Sequence, residues 1–194
     1  MTNTATPFGL AVSRHQDGNL NGNVTACYIP ATNSGKLYVG DAVYFSGSNS
    51  SAIDDYKVGN LPAIVKAGAN TAIDGVIVGF LPTSINAPAG AFPASTAGIA
   101  LVVTDPDVKF NIQATGSVSA SDVGKLAKIS TSTAGDDYSG VSGMALDHST
   151  IGTDTTMPLK ILNVADYIQN DAGSYAIVEV IRNLPHTESA ASGN

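Results

Sequence analysis

Residues 102–113 read VVTDPDVKFNIQ, with two aspartates flanking a proline before a strict alternation begins. Val108, Phe110 and Ile112 fall on one face, and Lys109, Asn111 and Gln113 on the other. A period of two is the signature of a strand with one side on a core. Pro106 fixes its own φ and biases Asp105 towards an extended backbone, so Asp-Pro-Asp reads as a turn feeding a half-exposed strand. The competing readings are a carboxylate pair for acid–base chemistry and a ligand pair for a hard cation. Glycosidase carboxylates face each other across a cleft at about 5 Å or more. Glu, the commonest general acid, occurs only at Glu179 and Glu188, in a strand and in the tail. The turn is the reading adopted.

Outward from this stretch the pattern is the same. Apolar runs are short, β-branched and separated by Gly, Asn, Asp, Ser and Pro, which predicts an all-β chain. Expected strands cover residues 24–29, 37–45, 73–80, 99–104, 108–113, 126–130, 159–164 and 175–183. The last of these is apolar on both faces, as in the middle of a sandwich or under an interface. The best helical turn is Ser121-Asp122-Val123-Gly124, with Ser121 as cap and Gly124 as stop. The loop 86–98 carries Pro88 and Pro93 and is expected as a long excursion. The fold class expected is a β-sandwich or jelly-roll-like barrel with an extended N-terminal arm and little helix. Residues 1–14 form the arm, 15–186 the β-rich domain, as one unit or two lobes divided near residue 100, and 187–194 a frayed tail.

The chain has 194 residues and a net charge of −7, with charged residues only 13% of the total. At this length folding buries roughly 70% of the extended-chain surface, enough for a core without metal or disulfide staples. A mean hydropathy of +0.13 with so few charges suggests surface covered by neighbours, alongside a Ser/Thr/Ala/Gly-rich exterior. Nine Lys and Arg scattered along an acidic chain make no basic stripe, so nucleic acid is not an expected partner. No basic-then-apolar leader opens the sequence, and no apolar run approaches the roughly 20 residues of a membrane span. The lone Cys27 is expected as a small buried hydrophobe.

Candidate chemistry is thin. Asp17-Gly-Asn19-Leu-Asn21-Gly22 matches the first half of an EF-hand loop, but Tyr28 stands where the bidentate Glu belongs. The histidines His15, His148 and His186 have no metal-ligand spacing. Ser142 lies in Gly-Val-Ser-Gly, which lacks the nucleophile-elbow spacing. Asp54-Asp55 and Asp136-Asp137 read as solvated turn residues. No enzyme activity, cofactor or metal is expected.

The order of several short motifs resembles the head decoration, or capsid cement, proteins of tailed bacteriophages. They are Thr6-Pro-Phe-Gly-Leu10, D-G-N-x-N-G at 17–22, I-P-A-T at 29–32, and Val39-Gly-Asp-Ala-Val43. Gly75-Val-Ile-Val-Gly-Phe80, the opening Asp105–Gln113 stretch, Ser121-Asp-Val-Gly124, Ser142-Gly-Met-x-Leu-Asp147 and a final strand leading to Asn183 follow. The likeness spans most of residues 6–185. Ala11-Val12-Ser13 departs from it, where a further basic or proline-containing arm would stand. The resemblance implies a non-enzymatic protein made in the host cytoplasm and carried on the exterior of the virion. It would bind the major capsid protein and cement neighbouring subunits against internal pressure. A homotrimer is expected, with a dimer as the alternative, and neither nucleic acid nor membrane as partner. Phe8 and Leu10, the arm's two large apolar groups, are expected to plug into pockets on the shell, with Pro7 and Arg14 beside them. The reading from another class is a β-sandwich adhesin or carbohydrate-binding module, which wants exposed aromatics on a sugar-stacking face.

Overall fold

The computed structural model describes residues 3–16, 24–53, 59–83 and 90–183. The EF-hand-like loop, the Asp54-Asp55 pair and the expected tail lie outside the described residues. The chain is all-β, with one 3₁₀ turn among the described residues, at Ala120–Asp122. That turn falls at the expected place, but Ser119 rather than Ser121 opens it: the Ser119 N–H and Oγ both donate to the Asp122 carboxylate, at 2.8 and 2.7 Å.

Five strands close a first barrel: β2 (Val24–Ile29), β3 (Ala42–Asn49), β4 (Pro62–Lys66), β5 (Gly75–Leu81) and β6 (Gly98–Val103), in spatial order β2-β4-β3-β5-β6. A six-stranded sheet follows, ordered β1-β7-β13-β11-β9-β10. Its members are β1 (Ala11–His15), β7 (Val108–Gln113), β9 (Leu126–Ser130), β10 (Ala145–Gly152), β11 (Leu159–Val164) and β13 (Ile177–Arg182). A two-stranded ribbon, β8 (Ser117–Val118) with β12 (Gly173–Ser174), lies beside it. The larger sheet curls until Ala114, one residue past β7, makes a parallel bridge to Leu146 of β10. It is a second barrel, closed at one end.

The two barrels have one topology. In each, the first strand lies parallel to the third and antiparallel to the fifth, the third pairs with the second, the second with the fourth, and the fourth with the fifth. The match extends to single residues. Ile77 donates to the Asp41 carbonyl at 3.0 Å and accepts from the Gly40 N–H at 2.8 Å; Ile161 donates to the Lys125 carbonyl at 2.9 Å and accepts from Gly124 at 2.8 Å. Gly40 and Gly124 have φ of +92° and +88°, a left-handed backbone that favours glycine. The ladder slips just after Ile77 in one barrel and just after Ile161 in the other. Inward positions correspond as well: Cys27, Val43, Ile64, Ile77, Ala100 and Val102 match Ile112, Ala127, Leu146, Ile161, Val178 and Val180, all buried. The chain is an internal duplication.

The barrels are not separate lobes, because they share a core. Ala42, Ala67, Ile73, Val76 and Val103 on the outer wall of the first pack with the interior residues of the second. Arg182 at the end of β13 reinforces the junction, donating to the carbonyls of Ile73 and Thr104, the latter at 2.6 Å, and to that of Asp74. The N-terminal segment joins the same structure. Leu10 is 1% exposed within the shared core, and β1 pairs antiparallel with β7. The expected boundary at residue 14 therefore cuts through a strand's end rather than a domain edge. Only residues 3–9 run outside the ladders.

One shared core predicts one cooperative unfolding transition in urea. Ile77→Ala and Ile161→Ala, at equivalent positions, should each lower stability by about 2–5 kcal/mol within that same transition. Two resolved transitions, each moved by only one of the substitutions, would contradict a common core.

Candidate functional site

The outward side of β7 departs from expectation. The alternation made Asn111 and Gln113 solvent-facing, yet they are 6% and 4% exposed. The N-terminal segment and the turn after β11 cover them. The Gln113 side chain accepts from the Thr6 N–H at 2.7 Å and donates to the Thr4 carbonyl at 2.9 Å. Asn3 ties the start of the segment to the carbonyls of Asp171 and Ser174. The pattern was legible in the sequence, but its cover comes from distant chain.

Beside Asn111 on β13 sits Glu179, 4% exposed. Arg14 of β1 grips its carboxylate with two hydrogen bonds, Nε at 2.9 Å and Nη2 at 3.0 Å. Ser13 Oγ donates at 3.1 Å and Asn163 Nδ2 of β11 at 3.1 Å. Four donors saturate the carboxylate's lone pairs. Burial pushes the Glu179 carboxyl up, but the bonds from Arg14 and Ser13 outweigh it and leave the group below its ordinary value. The sequence shows Glu179 only as a strand residue; the fold brings Arg14 to it.

Over this floor stands Tyr167. Its hydroxyl accepts from Asn111 Nδ2 at 2.6 Å, and its side chain remains half exposed. Asn170 holds the turn down, donating to the carbonyls of Ala165 and Ile177 and accepting from the Ile177 N–H. Tyr167 is the wall between two clefts. One, of about 200 Å³, is lined by Arg14, Asn111, Asn163, Asp166 and Glu179; the other, of about 280 Å³, by Thr4, Gln113, Tyr175 and Ile177.

Among the described residues, the Ser142, Asp137 and His15 candidates are taken up in contacts within the fold. Ser142 and Asp41 are buried, and the Ser142 Oγ donates to the Asp41 carboxylate at 2.6 Å. Asp41 also accepts from the Tyr38 N–H at 3.0 Å and pairs with Lys66 Nζ at 2.8 Å. This is a clamp between the barrels. Asp137 is not merely solvated: it pairs with Lys36 and accepts from the Tyr38 hydroxyl. Burial first, and Asp137 second, push Tyr38 up to about 12. His15, Asp105 and Asp107 bring ligand atoms within 4.8 Å of one another. Asp105 is occupied there, accepting from the Asp107 N–H at 2.9 Å, as a turn requires, while pairing with His15. The buried Arg182 guanidinium adds positive charge to the same corner. Of the residues expected to grip a shell, Leu10 is in the core, Pro7 and Phe8 are half buried, and Arg14 is committed to Glu179.

The depressed Glu179 carboxyl stabilises the fold above its unfolded value, near 4.5, and that contribution is lost as pH falls through the lower folded value. Arg14→Ala removes the pairing and leaves burial in charge, so circular dichroism should show acid unfolding beginning at a higher pH than in the wild type. An unchanged acid limb would remove Glu179 from the account. The chain matches no known family model, no curated protein and no solved structure.

Proposed function

We propose that the chain is a structural, non-enzymatic protein of a phage virion that binds the outer surface of the assembled capsid and ties neighbouring major capsid subunits together. The ordered motifs described above suggest the family. The observation that carries the reading is an apolar knuckle on rigid β-structure. Val39 and Val141 bridge one another and are both partly exposed, and Tyr138 on the adjoining turn is 96% exposed. Hydrogen bonds from the Asp136 N–H to the Val141 carbonyl and from the Gly140 N–H to the Asp136 carbonyl stiffen that turn. A large aromatic held out on a fixed turn suits an anchor that fills a pocket on another protein.

On this reading the grip lies on the folded surface instead of on Leu10, which is buried. Assembly as a trimer, or as a dimer, would multiply the anchors and make a weak contact tight. The alternative reading, a carbohydrate-binding module, is favoured by one observation, the polar clefts beside Tyr167.

The test is occupancy on undecorated capsids of the virus that carries the gene. Tyr138→Ser should leave the fold intact and weaken occupancy by roughly tenfold or more, the loss expected of a buried aromatic anchor. Failure of the wild-type protein to bind such capsids would end the reading. Binding that is indifferent to Tyr138→Ser would move the contact elsewhere.

A further inference from the structure

The duplication supplies an internal control for the clefts beside Tyr167. Asn111 and Asn163 both pair with Glu179, and Gln113 pairs with Ile177. The equivalent residues of the first barrel are Ala26 and Gly79, both paired with Leu101, and Tyr28, paired with Ile99. There Ala26, Tyr28 and Ile99 pack in an apolar cluster with Ile53, Leu61 and Ala63. The ladder therefore needs no polar side chain at these positions. The first barrel closes on Ala26, Gly79 and Leu101 at these positions, so barrel closure by itself does not require the polar set in the second.

What the set leaves open defines its chemistry. Glu179 is saturated and serves as a rigid floor. Asn111, though 6% exposed, accepts no hydrogen bond at Oδ1 from the described residues. The Oδ1 of Asn163 likewise accepts none from the described residues, and Asp166 adds an exposed carboxylate. On the donor side, the Tyr167 hydroxyl keeps its own proton after accepting from Asn111, and Arg14 Nη1 has no partner among the described residues. Acceptors and donors thus converge beside a half-exposed aromatic ring. Such mixed valences suit hydroxyl groups, which donate and accept at once. An apolar ring face packs on an aromatic wall, and each cleft is smaller than the roughly 300–1,000 Å³ of a drug-sized site.

We infer that the clefts flanking Tyr167 are a binding site for a neutral saccharide, with one sugar ring against Tyr167 and its hydroxyls on Asn111, Asn163, Asp166 and Arg14. The inference is independent of the capsid reading and is tested on the isolated protein. The probes are glucose, galactose, mannose, N-acetylglucosamine, maltose and lactose, with galactose 6-sulfate and glucose 6-phosphate as charged controls. At least one neutral sugar should shift the amide resonances of residues 163–167 and the Asn111 side-chain amide, with a Kd near the millimolar range. Asn111→Ala, which restores the first barrel's residue, and Tyr167→Ala should each weaken it about tenfold, while Tyr138→Ala should not. Thermal unfolding confirms that each variant is folded. No response to any neutral sugar, equal binding by folded Tyr167→Ala, or binding by the charged controls alone would each overturn the inference.

Discussion

Everything in this fold depends on one shared surface, where the outer wall of the first barrel closes the core of the second. Ala42, Val76 and Val103 are wall residues of one unit and core residues of the other. A five-stranded barrel is a small body with little interior. Joined to its twin it gains apolar burial at roughly 25 cal/mol per Å² without lengthening any strand. The Ser142–Asp41–Lys66 clamp and the Arg182 contacts lie on that seam and fix the angle at which the two units meet. Polar groups at such a place contribute mainly through being satisfied, since one left unmade costs about 1–3 kcal/mol.

The sequence declares the strands more clearly than their arrangement. All eight expected runs contain strand, because β-branched residues and alternation mark them directly. β1 and β4 are short, and β10 (ALDHSTIG) is polar over its second half, so none stands out. The duplication is hidden for a different reason. Of six equivalent interior pairs only Ile77/Ile161 and Val102/Val180 keep the same residue; the rest exchange Cys, Val, Ile and Ala for apolar groups of other sizes or branching. Barrel interiors specify apolarity and volume rather than identity, so a repeat can survive as topology after it has faded as text. Gly40 and Gly124 stand at equivalent positions in the two barrels, where a left-handed backbone favours glycine. The cleft was the least legible part. Arg14, Asn111, Asn163, Tyr167 and Glu179 come from four strands and a turn, and no spacing links them.

The polar set also shows how two copies of one unit divide labour. In the first barrel, Ala26, Gly79 and Leu101 keep the outer wall compact. In the second, the same ladder positions carry an asparagine pair and a buried carboxylate, roofed by a tyrosine. A framework stabilised twice over can accept such a change in one half, because the other half and the seam still hold the fold.

The pairing of β1 with β7 has a consequence for the order in which the molecule is made. Residues 24–103 contain every strand of the first barrel, so that barrel has all its pairing partners as soon as β6 has left the ribosome. Leu10 and β1 are synthesised earlier still, yet their partners are β7 and a core completed by β13. The beginning of the chain must therefore wait for nearly its end, with an apolar side chain unsatisfied in the interval. Long-range pairing of this kind is slow and leaves sticky surface exposed while it is pending. The polar run Thr2-Asn3-Thr4 and the charged Arg14 stand on either side of Leu10, so the waiting segment carries little apolar surface besides Leu10 and Phe8.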